Sequence, residues 1–260
     1  MQTLAVLIIT ALTAGSASRF DLAERLRLAL AAQLGTFEEL EVEVQAAARP
    51  QLVSGNLRGV TIRVHRFDAT ALPWDTFSPT PRPRRLKGRL DRLTLVATEA
   101  QFQNLTVSRL TLTGKGITYD LLDSLLRRRI VLTGYREATL EAHFRDGDLD
   151  SFLAARIPQL RQAHVRFEPG QVVVTGQVVL GAASLPVTVR GRLQVVQRRE
   201  LHLTEAQVQV GNLALPPETV KSLLAQANPL LDVAALLPVP LALEEIELKA
   251  GEAILRGHFL

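Results

Sequence analysis

The chain of 260 residues has no cysteine, few aromatics and little lysine, and each shortage removes a class of function. Without cysteine there can be no disulfide framework, no thiol nucleophile, no thiolate metal site and no lipid-modified cysteine anchor. Aromatics make up 5% of residues against 47% hydrophobic ones, so the apolar content is aliphatic. Such a composition argues against disorder, and against the stacking platforms that hold single-stranded nucleic acid; no nucleic-acid partner is expected. Only Lys87, Lys115, Lys221 and Lys249 are lysines among 30 basic residues, and arginine supplies the rest. Arginine suits bidentate contact with phosphate or carboxylate, although a GC-rich coding sequence produces the same bias with no function attached.

Catalytic signatures are missing as well. No G-x-S-x-G elbow occurs, and no serine has a local reason to be activated. Gly114-Lys115-Gly116 lacks the third glycine of a dinucleotide loop, with Tyr119 at that place. Asp146, Asp148 and Asp150 imitate the start of a calcium loop, but Ser151 replaces its glycine and Ile157 its terminal glutamate. His65, His143, His164, His202 and His258 stand singly in strand-like segments without paired ligand spacing. Neither catalytic residue, metal site nor cofactor is assigned, and no enzyme is expected.

Met1–Ser18 carries an apolar run, Leu4 to Ala14, ahead of Gly15-Ser16-Ala17-Ser18. The run is too short to span a bilayer and has the length and small-residue end of a signal peptide. It lacks a basic start, so a short N-terminal anchor or buried first helix stays open. Residues 19–260 are read as one domain. Phe20 to Leu34 has a helical stripe ending at Gly35. Glu39 to Val44 then alternates carboxylate with aliphatic, and Val60 to His65 repeats the alternation.

Leu72 to Arg85 is a proline-rich loop in which Trp74 and Phe77 adjoin Arg82, Arg84 and Arg85. Aromatic anchors beside cations suit an anionic membrane surface, at about 1 kcal/mol per cation; a solvated loop has the same composition. Two strands over Leu90 to Thr113, a helix over Tyr119 to Arg129 and strand over Ile130 to Arg145 follow. A helix over Asp148 to Leu160 has Asp148 as N-cap and Leu149, Phe152, Leu153 and Ile157 as its stripe. Antiparallel strands then run to Val210. Thr98-Glu99-Ala100-Gln101 and Thr204-Glu205-Ala206-Gln207 form a short internal repeat, which chance could also produce.

The stretch from Pro216 to Phe259 organises the rest. Pro216-Pro217-Glu218 suits a helix start, and Val220, Leu223, Leu224 and Ala227 recur at helical spacing until Asn228-Pro229 ends the helix. Leu230 to Leu243 is almost wholly apolar, and an alternating hairpin turns at Gly251. So apolar a connection must face protein or lipid. Asn228-Pro229-Leu230, Leu236-Leu237-Pro238 with Pro240-Leu241, and Gly251 with Leu255-Arg256-Gly257 resemble the end of the LmeA-like phospholipid-binding family. The likeness runs over about Phe37 to Leu260 and is strongest after Asp146.

The resemblance implies an exported envelope protein, periplasmic or membrane-associated, that binds phospholipid. It also implies an α+β fold, with a long curved antiparallel sheet wrapped on a few amphipathic helices, similar to tubular lipid-binding proteins. Covering one acyl chain replaces about 0.8 kcal/mol per methylene, on the order of 12 kcal/mol for a long chain. That demands a continuous trough. The helical stripe Leu149, Phe152, Leu153, Ile157 is one candidate wall. The other is Val220, Leu223 and Leu224 with the loop residues Leu230, Leu231, Val233, Leu236 and Leu237. Arginines at the rim would meet the headgroup. The alternative is a non-catalytic structural or interaction module with a filled core.

Overall fold

A computed structural model describes residues 36–46, 56–68, 87–120, 132–180, 183–236 and 240–260, with positions 23, 24, 27, 28 and 31 of an N-terminal helical segment. Two mostly antiparallel sheets dominate it. The first joins β1 (Glu39–Ala46), β2 (Asn56–His65), β3 (Lys87–Phe102), β4 (Leu105–Asp120), β6 (Glu137–Arg145), β14 (Glu252–Phe259) and β13 (Leu241–Lys249) in that order, with β5 (Leu132–Gly134) beside β4. The second runs β11 (Leu213–Ala214), β10 (Glu200–Val210), β9 (Ala183–Val196), β8 (Gln171–Leu180) and β7 (Leu160–Glu168), with β12 (Leu231–Asp232) also on β10. Among the described residues the helices are short: α1 (Asp150–Arg156), α2 (Pro217–Ala227) and α3 (Val233–Leu236).

The antiparallel sheet expected from alternation is therefore present, divided in two and richer in strand than an α+β plan implies. β1 shows why alternation works: Leu40 and Val42 are buried while Glu39, Glu41 and Glu43 point to solvent. Arg63 on β2 bridges Glu41 and Glu43, at 3.1 and 2.9 Å. β3 and β4 have 16 residues each and reach about 50 Å at the usual strand rise.

Four local expectations are corrected. β2 and β3 pair in parallel; the intervening 66–86 segment is long enough to carry the chain back to the same end, which a tight turn cannot do. Tyr119 and Asp120 close strand β4 instead of opening a helix; the remainder of that expected helix lies outside the described residues. α1 is shorter than Asp148 to Leu160. Its N-cap position is Leu149, because the Asp148 carboxylate accepts the Arg145 N–H at 2.7 Å, and Leu160 already pairs with Val178. The loop after Pro229 holds a short strand and a helical turn, β12 and α3. As expected, Asn228 is extended at φ −82, ψ 146, and ends α2.

The described strands contain five register slips, at Gln45/Ala46, at Thr118/Tyr119 and at three further places. The last three fall between Arg161 and His164, between Thr204 and Gln207, and between Leu243 and Glu245. Bulges increase local twist and bend the strand that carries them. Across from them stand Gly176, Gly191 and Gly257, and at Gly257 an added Cβ would lie 2.7 Å from the Ala242 carbonyl oxygen. A single apolar cluster draws on both sheets, from Leu40 and Val64 to Val165, Phe167 and Leu203.

Tyr119 is 3% exposed, and burial pushes its phenol up to about 12. An unfolded tyrosine ionises near pH 10, so above that pH the unfolded chain sheds a proton that the folded one keeps. The stabilisation is complete below pH 10 and is lost as the pH rises to about 12. Urea denaturation across that window should show steeper loss for the parent than for Tyr119→Phe; parallel curves would refute the assignment.

Candidate functional site

The site is built where the two sheets meet under α1. The start of α1 and the residues before it are sewn to β7. The Asp146 carboxylate accepts the Phe167 N–H at 2.7 Å, the Asp150 carboxylate accepts the Val165 N–H at 2.7 Å, and the Gly147 N–H donates to the Val165 carbonyl at 3.0 Å. His164 sits 2.9 Å from the other Asp150 oxygen. This seam fixes α1 so that Leu149, Phe152 and Leu153, spaced for one helical face, turn inward.

A second seam ties the segment after α2 to β10. The Asn228 side-chain amide takes both backbone hydrogen bonds of Leu203, each at 2.9 Å, standing in for a strand neighbour. The Leu230 N–H donates to the Leu201 carbonyl at 2.8 Å, and β12 continues the pairing at Glu200 and Leu201. Arg199 closes the loop with a bidentate pair to Asp232 at 2.8 and 2.5 Å.

Between the seams lies a cavity of about 50 Å³ whose walls are wholly apolar. Leu149, Phe152 and Leu153 form one side, and Leu230 and Leu231 another. The sheets complete it with Leu105 and Phe144, Val172 and Val174, Leu193, Ile246 and Leu255. Both segments singled out from the sequence thus reach the same space. The strand residues were missed; their signal was the aliphatic half of each alternation, which marks a buried face without saying what the face looks onto.

The other expected trough residues are placed elsewhere. Ile157 and Leu224 pack against the core without lining the cavity, and Val220 and Val233 are buried. α2 lies on β10, so its stripe is used in that contact, and Leu223 is left 43% exposed. Leu236 ends α3, with its side chain outside the described portion; Leu237 and the expected membrane-facing Trp74, Phe77, Arg82, Arg84 and Arg85 also lie outside the described residues.

Apart from buried Ser108 and Asp120, polar side chains of the described residues lie toward the surface, many in local pairs. His65 meets Thr98 at 2.8 Å, His202 meets Glu200 at 2.8 Å and His258 meets Glu244 at 2.8 Å. His143 lies between Glu252 at 2.7 Å and Glu141 at 2.9 Å. Glu141 is held below the usual carboxylate range, chiefly by His143 and then by Arg256, which also reaches Glu245 and Glu247. Burial pushes the Asp148 carboxyl up. No group of three or more His, Asp or Glu suited to a metal ion occurs among the described residues.

Fold and cavity together define a class: a β-sheet protein with a small apolar space between its sheets, on which no polar groups of the described residues converge. Residues 76–258 match the family described as LmeA-like phospholipid-binding, and the chain belongs to that family. No curated protein and no solved structure matches it.

Proposed function

We propose that the chain binds one phospholipid with its acyl chains in the cavity between α1, the Leu230–Leu231 segment and the two sheets. It carries or presents that lipid in the cell envelope and performs no catalysis. Residues 19–260 act as one domain. Met1–Ser18 directs export or anchors the chain, and the loop bearing Trp74, Phe77, Arg82, Arg84 and Arg85 rests on an anionic membrane surface. The observation that carries the reading is an interior cavity with no polar wall in a member of a phospholipid-binding family.

Cavity size sets a condition. Ligand pockets usually hold about 300–1,000 Å³, whereas this one holds about 50 Å³, so acyl chains enter only if its walls part. The small volume is also what favours the second reading, a structural or interaction module with a filled core. Mass spectrometry of lipids extracted from the purified chain separates the two. The expected result is phospholipid near one per chain, and loss of most of it in Val174→Trp, which fills the cavity from a half-buried wall position. Lipid-free protein that takes up none from vesicles supports the filled module.

A further inference from the structure

One cation bridges two of the elements that wall the cavity. Arg156 closes α1, one turn beyond the cavity-lining Phe152 and Leu153, and its guanidinium donates to the carbonyl oxygen of Pro229, the residue before cavity-lining Leu230. It therefore links α1 to the Leu230–Leu231 segment. Arg199, by contrast, is held by Asp232, two residues beyond Leu230. Among the described residues no carboxylate pairs with Arg156, which is exposed and has a neutral carbonyl as its partner. Of the five N–H donors on a guanidinium, most face solvent there.

We propose that Arg156 is the headgroup ligand and the latch of the cavity, binding the lipid phosphate in exchange for the Pro229 carbonyl. The proposal rests on the cavity reading above. Its logic is an exchange of partners. α1 is sewn to β7 and the Leu230 segment to β10, each by several hydrogen bonds, whereas among the described residues the polar link between the two walls is that from Arg156 to Pro229. A phosphate is a better acceptor for a guanidinium than a carbonyl, because the bond becomes charge-assisted and can be bidentate. Phosphate capture by Arg156 thus releases the walls at the moment acyl chains need room. The site selects for a phosphate ester with tails attached, whatever the rest of the headgroup.

The test uses the full chain, incubated with vesicles of phosphatidylglycerol or with detergent-dispersed diacylglycerol. Retained lipid is counted after separation from the vesicles or detergent. For Arg156→Gln, phosphatidylglycerol retention should fall about ten- to a hundredfold, the range a hydrogen bond to a charged group covers. Arg156→Lys should recover part of it, and diacylglycerol retention should be equal in parent and Gln variant. Glycerol 3-phosphate, which has the phosphate but no tails, should compete weakly. Unchanged phosphatidylglycerol retention in Arg156→Gln overturns the latch and leaves the cavity reading standing. Equal loss of both lipids makes Arg156 a structural staple and overturns it too. Full competition by glycerol 3-phosphate means a site for free phosphate esters, again against the proposal. A parent that retains neither lipid removes the cavity reading and this inference together.

Discussion

Alanine at Gly88 is expected to destabilise the chain by about 3 kcal/mol, at the upper end of what inserting an atom into a filled interior costs. Gly88 on β3 faces Tyr119 on β4. A Cβ there would lie 2.1 Å from the ring Cζ and 2.5 Å from the hydroxyl oxygen, closer than any real contact. The ring cannot swing clear cheaply, since Tyr119 is 3% exposed and joined to the core by the rest of β4. The aromatic ring therefore lies over a strand glycine, the way edge glycines in sheets are covered. Gly170→Ala is the control. Nothing lies within 4 Å of the added atom, but φ is +75, and a left-handed alanine costs about 1–2 kcal/mol. Urea midpoints for both variants give the comparison. In a Tyr119→Ala background, Gly88→Ala should become nearly neutral, because the atom it collides with is gone. Should Gly88→Ala cost the same in both backgrounds, the ring is not the obstacle.

How much of this was legible follows from the range over which each signal acts. Local signals served well: the alternation of Glu39 to Val44, the proline-led start of α2, its end at Asn228 and the Gly251 turn, at φ +76, all reappear. Each depends on residues within a few positions of one another. The parallel seam of β2 and β3 and the division into two sheets depend on partners far apart in the chain, and no local pattern encodes them. The short repeat is an intermediate case. Glu99 and Glu205 hold equivalent places in it, and both adopt positive φ, at 53 and 50. Both precede an alanine of the core, Ala100 fully buried and Ala206 packed against it. The repeat thus corresponds to a shared backbone feature inside a strand, which sequence reading took for ordinary extended chain. For the site, the stripe Leu149, Phe152, Leu153 was legible because a short helix has one buried face. The stripe of α2 was misleading for the same reason, as its buried face meets β10 and not the cavity.

Aspartate at Leu230 is expected to abolish lipid retention in a chain that still folds, and this is the largest functional effect the structure supports. Leu230 lines the cavity but is half-buried, and its backbone N–H, bound to the Leu201 carbonyl, is indifferent to the side chain. A carboxylate there can turn outward toward water in the empty protein, so the cost to folding stays small. With an acyl chain in place it cannot, and an unpaired charge against hydrocarbon costs several kcal/mol, enough for a retention loss of a hundredfold or more. Two comparisons fix the interpretation. Leu231→Asp, at a position 9% exposed and inside the β12–β10 pairing, should lose about 3–5 kcal/mol of stability and report on folding alone. Leu223→Asp, on the 43% exposed side of α2 and away from the cavity, should change neither folding nor retention by more than about 0.5 kcal/mol. Circular dichroism and urea midpoints establish which variants fold, and extracted lipid per chain establishes which bind. If Leu230→Asp folds and retains lipid like the parent while Leu223→Asp loses it, the acyl chains lie along the outer face of α2, and the cavity is merely a gap in a filled core.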